Sequence, residues 1–279
     1  MNENRKSVVT PVDVLAEKLR AVHGCIIDMD GVLYRGEMVL PHVRDFLTVL
    51  DQRALPYIMV TNNSTRSPEQ YAEKLAHMQI TVSPDRILTS GLATRDWLRD
   101  RFPEGTRVYV LGMAALEEAI FGDGYFTRGG ADAEVVVSGA DFELTYEKLR
   151  VATLAIRRGA AYVATNADTT FPSEEGLIPG SGAIVAALVA ATGVEPVVVG
   201  KPQTEMLEVA ADRIGSRADH TALIGDRLDT DILAGKRAGC VTVLVLTGVT
   251  AESDLAISEI IPDVVVPNLA PLADFFRRA

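Results

Sequence analysis

Short, uninterrupted apolar runs rich in β-branched residues recur along the chain, with longer stretches of helical spacing between them. The runs are Cys25-Ile26-Ile27, Tyr57-Ile58-Met59-Val60, Val108-Tyr109-Val110-Leu111, Val135-Val136-Val137 and Ala161-Tyr162-Val163-Ala164. Four more follow: Val197-Val198-Val199, Ala222-Leu223-Ile224, Val241-Thr242-Val243-Leu244-Val245-Leu246 and Val264-Val265-Val266. Continuous rather than alternating hydrophobicity predicts strands covered on both faces, as in a parallel sheet. The stretch 67–78 predicts a helix. Its opening Ser67-Pro68-Glu69-Gln70 offers an N-cap, a proline in the first turn and a capping-box partner. Strands alternating with helices over short connections define an α/β fold.

No repeat or low-complexity linker divides the chain. Two glycine-rich stretches, 122–130 and 176–182, read as loops in the middle third, whereas the polar, motif-like stretches lie toward the two ends. That distribution suggests a discontinuous domain built from both ends, with the middle inserted. The run Pro179-Gly180-Ser181-Gly182 is read as a helix N-terminus packed closely on a neighbour.

Composition narrows the function. The 279 residues are 48% hydrophobic and 23% charged, ordinary globular usage that excludes wholesale disorder. With 27 Lys+Arg against 38 Asp+Glu the net charge is −11, which disfavours a nucleic-acid binder. The two cysteines, Cys25 and Cys240, cannot build a disulfide framework and point to a reducing compartment. The start, Met1 to Lys6, is charged without a following apolar stretch, and the apolar run 180–194 is too short for a membrane span. The expectation is a cytoplasmic protein with no membrane partner.

Four strand ends carry chemistry. Ile27-Asp28-Met29-Asp30-Gly31 places two carboxylates after a buried strand. At spacing i and i+2 in an extended segment they face the same side; a polar turn at Asp30-Gly31 is the alternative. Thr61-Asn62-Asn63 ends a second strand with a hydroxyl and amides, suited to an anion or to a simple cap. Gly200-Lys201-Pro202 ends a third with a lysine, a point charge for phosphate or a solvated side chain. Gly225-Asp226-Arg227-Leu228-Asp229-Thr230-Asp231 ends a fourth with three carboxylates in six positions. A divalent cation would relieve their repulsion, with hard oxygen donors favouring Mg²⁺; a cap on the helix that follows is the alternative for one of them. In open α/β sheets, ligands bind at the carboxyl ends of the strands.

Together, Asp28-Met29-Asp30-Gly31, Thr61-Asn62-Asn63, Gly200-Lys201-Pro202 and Gly225-Asp226 through Thr230-Asp231 resemble the four ordered motifs of the haloacid dehalogenase-like hydrolases. Ala164-Thr165-Asn166-Ala167-Asp168, Leu177-Ile178-Pro179-Gly180-Ser181-Gly182 and Val245-Leu246-Thr247-Gly248 extend the resemblance to the NagD-like, 4-nitrophenyl phosphatase branch. The resemblance implies a Mg²⁺-dependent phosphatase acting on a small phosphorylated metabolite through an aspartyl-phosphate. Nucleotide, phosphoglycolate, glycerol-phosphate and pyridoxal-phosphate phosphatases are among the relatives.

It further implies that Asp28 is the nucleophile and Asp30 the general acid and base. Asp28, the Asp30 carbonyl and Asp226 hold the metal. Thr61 and Asn62 hold the phosphoryl oxygens, Lys201 brings positive charge to phosphate and nucleophile, and Asp231 orients Lys201 or a metal-bound water rather than binding the metal directly. A Rossmann-like core, 1–90 and 196–279, then carries an inserted α/β cap, 91–195, through which a homodimer could form. Asn166 and Asp168 stand as cap residues outside the catalytic set. The rival readings are a phosphotransferase or mutase on a sugar or nucleotide phosphate, and a non-catalytic phosphate sensor. Two stretches depart from the family pattern: Pro41-His42 where relatives have Pro-Gly, and Ser138-Gly139-Ala140-Asp141-Phe142 in the cap.

Overall fold

The structure is a computed structural model that describes residues 8–173 and 175–278. The charged start, residues 1–7, lies outside the described residues. Two compact units emerge. One comprises Met1–Val60, Lys74–Arg86 and Ala210–Ala279 within those limits, and the other Thr61–Glu73 and Ile87–Val209.

The first unit is organised by parallel strands in the order Val264–Val266, Val241–Val245, Thr221–Gly225, Gly24–Asp28 and Tyr57–Thr61. Every residue of Gly24–Asp28 and Thr221–Gly225 is buried, as expected of strands covered on both faces. The register sets Ile27 opposite Ile224 and Asp28 opposite Val60. Asp28 and Asp226 therefore leave adjacent strands at nearly the same level. Gly24–Asp28 is also where the strand order reverses, with the next sheet strand on one side and Thr221–Gly225 on the other; such switch points open a crevice at the carboxyl ends. Helix Ala270–Arg278 packs on Val43–Gln52, where Phe276 meets Phe46 at 6.4 Å between ring centroids.

The second unit has its own parallel sheet, in the order Val197–Val198, Ala161–Ala164, Val135–Ser138, Arg107–Leu111 and Thr127–Arg128. Leu111, Val136, Ile156, Tyr162, Ile184 and Leu188 form its core. An antiparallel hairpin, Thr170–Ser173 with Gly176–Pro179, precedes helix Ser181–Thr192. Parts of the two glycine-rich stretches read as loops are thus strand: Thr127–Arg128 in one and Gly176–Pro179 in the other. Both are short and exposed, so their backbone pairing leaves no apolar signature. Gly180 does precede a helix.

Helix Pro68–His77 begins with the predicted capping box. Ser67 Oγ accepts the Gln70 N–H at 3.3 Å, and Gln70 Oε1 accepts the Ser67 N–H at 2.8 Å. His42 takes φ 65° immediately before helix Val43–Gln52, a conformation uncommon for a side-chain-bearing residue. Among the described residues no helix is long and apolar enough to cross a membrane.

Cys25 is fully buried in its strand, and burial pushes its thiol up to about 12; Cys240 rises to about 11 for the same reason. Only the thiolate reacts, so neither cysteine of the folded protein should react with a thiol reagent at pH 8, whereas both should in denaturant. In the folded state the protons are retained above pH 9, where an unfolded chain releases them. Stability should therefore fall as pH rises above about 9, measurable as a declining urea midpoint.

Candidate active site

The strand Gly24–Asp28 delivers Asp28 to its carboxyl end, where it is 8% exposed; Met29 turns into the core and Asp30 returns to solvent. Asp30 Oδ2 accepts the hydroxyl of Tyr34 at 3.4 Å, and Tyr34 itself is buried beneath the Lys74 ammonium, 4.1 Å from its ring centroid.

Beyond Thr221–Gly225 the chain enters a π-helical turn, Leu228–Ile232. That wide turn, a form common at functional sites, brings Asp231 back over Asp226. Carboxylate oxygens of Asp28, Asp226 and Asp231 all lie within 4.8 Å of one another, and all three residues are buried. Backbone donors stabilise the group: Asp231 Oδ2 accepts the N–H groups of Asp226 at 3.2 Å and Arg227 at 3.1 Å. Asp226 Oδ2 accepts the Val249 N–H at 2.6 Å. The Asp226 carboxylate lies against Gly31 and Gly248, and at either position an added Cβ would overlap Asp226 Oδ2. Asp229 stays outside this group, exposed and paired with Arg227 at 2.9 Å; hydrogen bonding from that guanidinium lowers its carboxyl below the ordinary range.

Thr61, Asn62 and Lys201 belong to the second unit. Thr61 is buried, and its Oγ1 accepts the Asn63 N–H at 3.2 Å. The Asn62 carbonyl accepts from Ser90 Oγ at 2.5 Å and Asn166 Nδ2 at 2.7 Å. Asn62 Nδ2 donates to the Lys201 carbonyl at 2.8 Å and to Asp168 at 3.2 Å. Asn166 Oδ1 accepts the Asp168 N–H at 3.1 Å, so these residues fix a turn. Lys201 is only 2% exposed.

Sequence reasoning missed the tie from Asn62 to Lys201, the contact of Tyr34 with Asp30, and the role of residues 247–250. The last had a signal: Val245-Leu246-Thr247-Gly248 is a further apolar strand ending in turn residues.

Residues 25–125 match the sequence profile of the haloacid dehalogenase-like hydrolases, and residues 198–272 match that of a HAD-hydrolase-like family. An acid sugar phosphatase of Staphylococcus epidermidis is 39% identical over 237 residues, covering 85% of this chain and 91% of that protein. The chain is a NagD-like haloacid dehalogenase-like hydrolase. The solved structure of 4-nitrophenylphosphatase from Thermotoga maritima is 37% identical with a TM-score of 0.87, covering 92% of this chain and 98% of that one. NagD from E. coli is 31% identical with a TM-score of 0.84, covering 89% and 97%. The α/β fold expected from the strand pattern is the fold of these hydrolases.

For this hydrolase, the contact of Gly248 with Asp226 gives a direct expectation. Gly248→Ala should lower activity on the order of 10–100-fold by displacing the Asp226 carboxylate. Gly130→Ala, whose Cβ would meet only Asp132 Oδ1 at 3.7 Å, should leave activity unchanged in the same assay.

Proposed function

We propose that the Asp28, Asp226 and Asp231 cluster is the catalytic end of a Mg²⁺-dependent phosphomonoester hydrolase. The protein is a phosphatase of small phosphorylated molecules, and the observation that carries the assignment of its site is the convergence of three buried carboxylates at the switch point of a parallel sheet. The donor set suits the metal: hard oxygens, close together, with glycines on two sides of Asp226. Magnesium would be held by the Asp28 and Asp226 carboxylates and the Asp30 carbonyl, where it would offset charge on the nucleophile and the transferring group.

Asp28 attacks phosphorus in line with the leaving oxygen, forming an aspartyl-phosphate as the ester P–O bond breaks. Asp30, exposed to solvent, gives its proton to the departing alkoxide. It then takes a proton from the water that attacks phosphorus, and the Asp28–phosphorus bond breaks to release phosphate. The roles of Thr61 and Asn62 in holding phosphoryl oxygens, and of Lys201 in countering their charge, rest on the motif resemblance. Lys201 and Thr61 both being buried accords with a desolvated phosphate site, where such charges act most strongly. Asp231, which accepts the Asp226 and Arg227 N–H groups, acts through Asp226 by orienting it.

The same reading assigns 1–90 and 196–279 to the core and 91–195 to the cap, with a cytoplasmic location and pairing through the cap. Sugar phosphates lead the substrate candidates, on the strength of the acid sugar phosphatase relatives. The test is phosphate release from a panel of sugar phosphates, nucleoside monophosphates, glycerol phosphate and 4-nitrophenyl phosphate, with and without Mg²⁺. Wild type should release phosphate only with the metal, and Asp28→Asn should release none. Retained turnover in Asp28→Asn would reject the nucleophile. Asp30→Asn should slow alkyl esters far more than the nitrophenyl ester, whose leaving group needs little protonation. An equal loss on both would reject the general-acid role.

A further inference from the structure

The Val249 N–H that donates to Asp226 belongs to the same peptide unit as the Gly248 carbonyl. In a planar trans peptide the two groups point in opposite directions. The N–H meets Asp226 Oδ2 at 2.6 Å, and on the far side the Gly248 carbonyl accepts Arg35 Nη2 at 3.2 Å. The same nitrogen of Arg35 donates to the Thr247 carbonyl at 2.5 Å. Thr247 Oγ1 in turn donates to the Gly31 carbonyl at 2.7 Å, and the Thr250 N–H closes on the Asp226 carbonyl at 3.1 Å.

Arg35 reaches this loop because of how its strand is anchored. It sits in the hairpin Tyr34–Arg35 with Met38–Val39. Successive strand residues point to opposite faces. Tyr34 is buried under Lys74, so the neighbouring Arg35 is delivered to the opposite, exposed side. The hairpin follows directly on the first motif, and the Gly31 N–H bonds the Tyr34 carbonyl at 2.8 Å. One guanidinium thereby connects the segment that carries Asp28 and Asp30 to the loop that clamps Asp226.

We infer that Arg35 is a positioning residue for the cation site: through the Gly248–Val249 peptide it aims and strengthens the N–H that holds the Asp226 carboxylate. A cationic donor on the carbonyl polarises the peptide, and hydrogen bonds in series reinforce one another. Arg35 donates to backbone carbonyls and is not among the carboxylates that would hold the metal. Its effect is on the orientation of Asp226, so its loss weakens metal binding rather than the chemical step. This inference rests on the reading of Asp226 as a metal-holding residue.

The test is calorimetric titration of metal-free protein with Mg²⁺ for wild type, Arg35→Lys, Arg35→Ala and Asp226→Asn, with thermal unfolding of each. Removing an outer partner of a metal ligand typically costs 10–100-fold in affinity. Arg35→Ala should therefore bind Mg²⁺ about 10-fold more weakly or worse. Arg35→Lys, which lacks the planar fork, should fall between it and wild type. The Michaelis constant for 4-nitrophenyl phosphate at saturating Mg²⁺ should stay near the wild-type value in both. A general structural defect would instead lower the unfolding temperature and leave the Mg²⁺ affinity of the folded fraction unchanged. If Asp226→Asn abolishes Mg²⁺ binding while both Arg35 variants bind like wild type, the Arg35 inference is wrong and the metal reading stands. If Asp226→Asn binds Mg²⁺ like wild type, the metal reading fails and the inference fails with it.

Discussion

Three carboxylates held within 4.8 Å of one another and out of solvent are the constraint around which this protein is arranged. At an effective dielectric of about 20, each such pair of unit charges repels by about 3.5 kcal/mol. Three pairs amount to roughly 10 kcal/mol, comparable with the whole stability of a typical domain. No packing argument calls for that arrangement. It is tolerable because backbone N–H groups of residues 226, 227 and 249 point at the oxygens, and because a divalent cation suits the same donors. The same repulsion would favour a divalent cation at these donors.

The fold supplies the convergence at little local expense. Asp28 and Asp226 end adjacent parallel strands whose register leaves them level. Asp231 comes back to them because the chain makes a π-helical turn before helix Leu233–Ala238 instead of entering it directly. Space for the Asp226 carboxylate exists because Gly31 and Gly248 have no side chain to fill it. In the second unit a different economy holds. The carbonyls of Asn62 and Lys201 are bound by side-chain amides of Asn166 and Asn62, so these backbone acceptors are satisfied by neighbours distant in sequence.

Legibility followed the strength of the hydrophobic signal. All nine apolar runs contain strands; most are buried on both faces and so must be apolar throughout, whereas Val197–Val198 is an edge strand with Val197 exposed. The two-residue strands Tyr34–Arg35, Met38–Val39 and Thr127–Arg128, and the exposed hairpin at Gly176–Pro179, escaped notice because they are held by backbone hydrogen bonds that any side chain permits. Asp28, Asp226 and Asp231 stood out for the opposite reason: acidic residues crowded after apolar strands repel one another and break the apolar pattern. Arg35, Tyr34 and Asn166 carry no such mark. A single arginine, tyrosine or asparagine is ordinary anywhere on a surface or turn, and each acquires meaning only from a partner 4 to 213 positions away.

Sequence alone therefore determined the α/β class and set the candidate motifs at strand ends, since these depend on local periodicity and on residue type; their chemistry came from resemblance to the family. Tertiary structure decided which carbonyl Arg35 holds, which N–H meets Asp226, and that Asp231 returns to the two carboxylates ahead of it. Those are contacts between segments far apart in the chain, with distances of a few tenths of an ångström at issue. They are set by strand register and by where glycine leaves room, and neither quantity is written in any local pattern of residues.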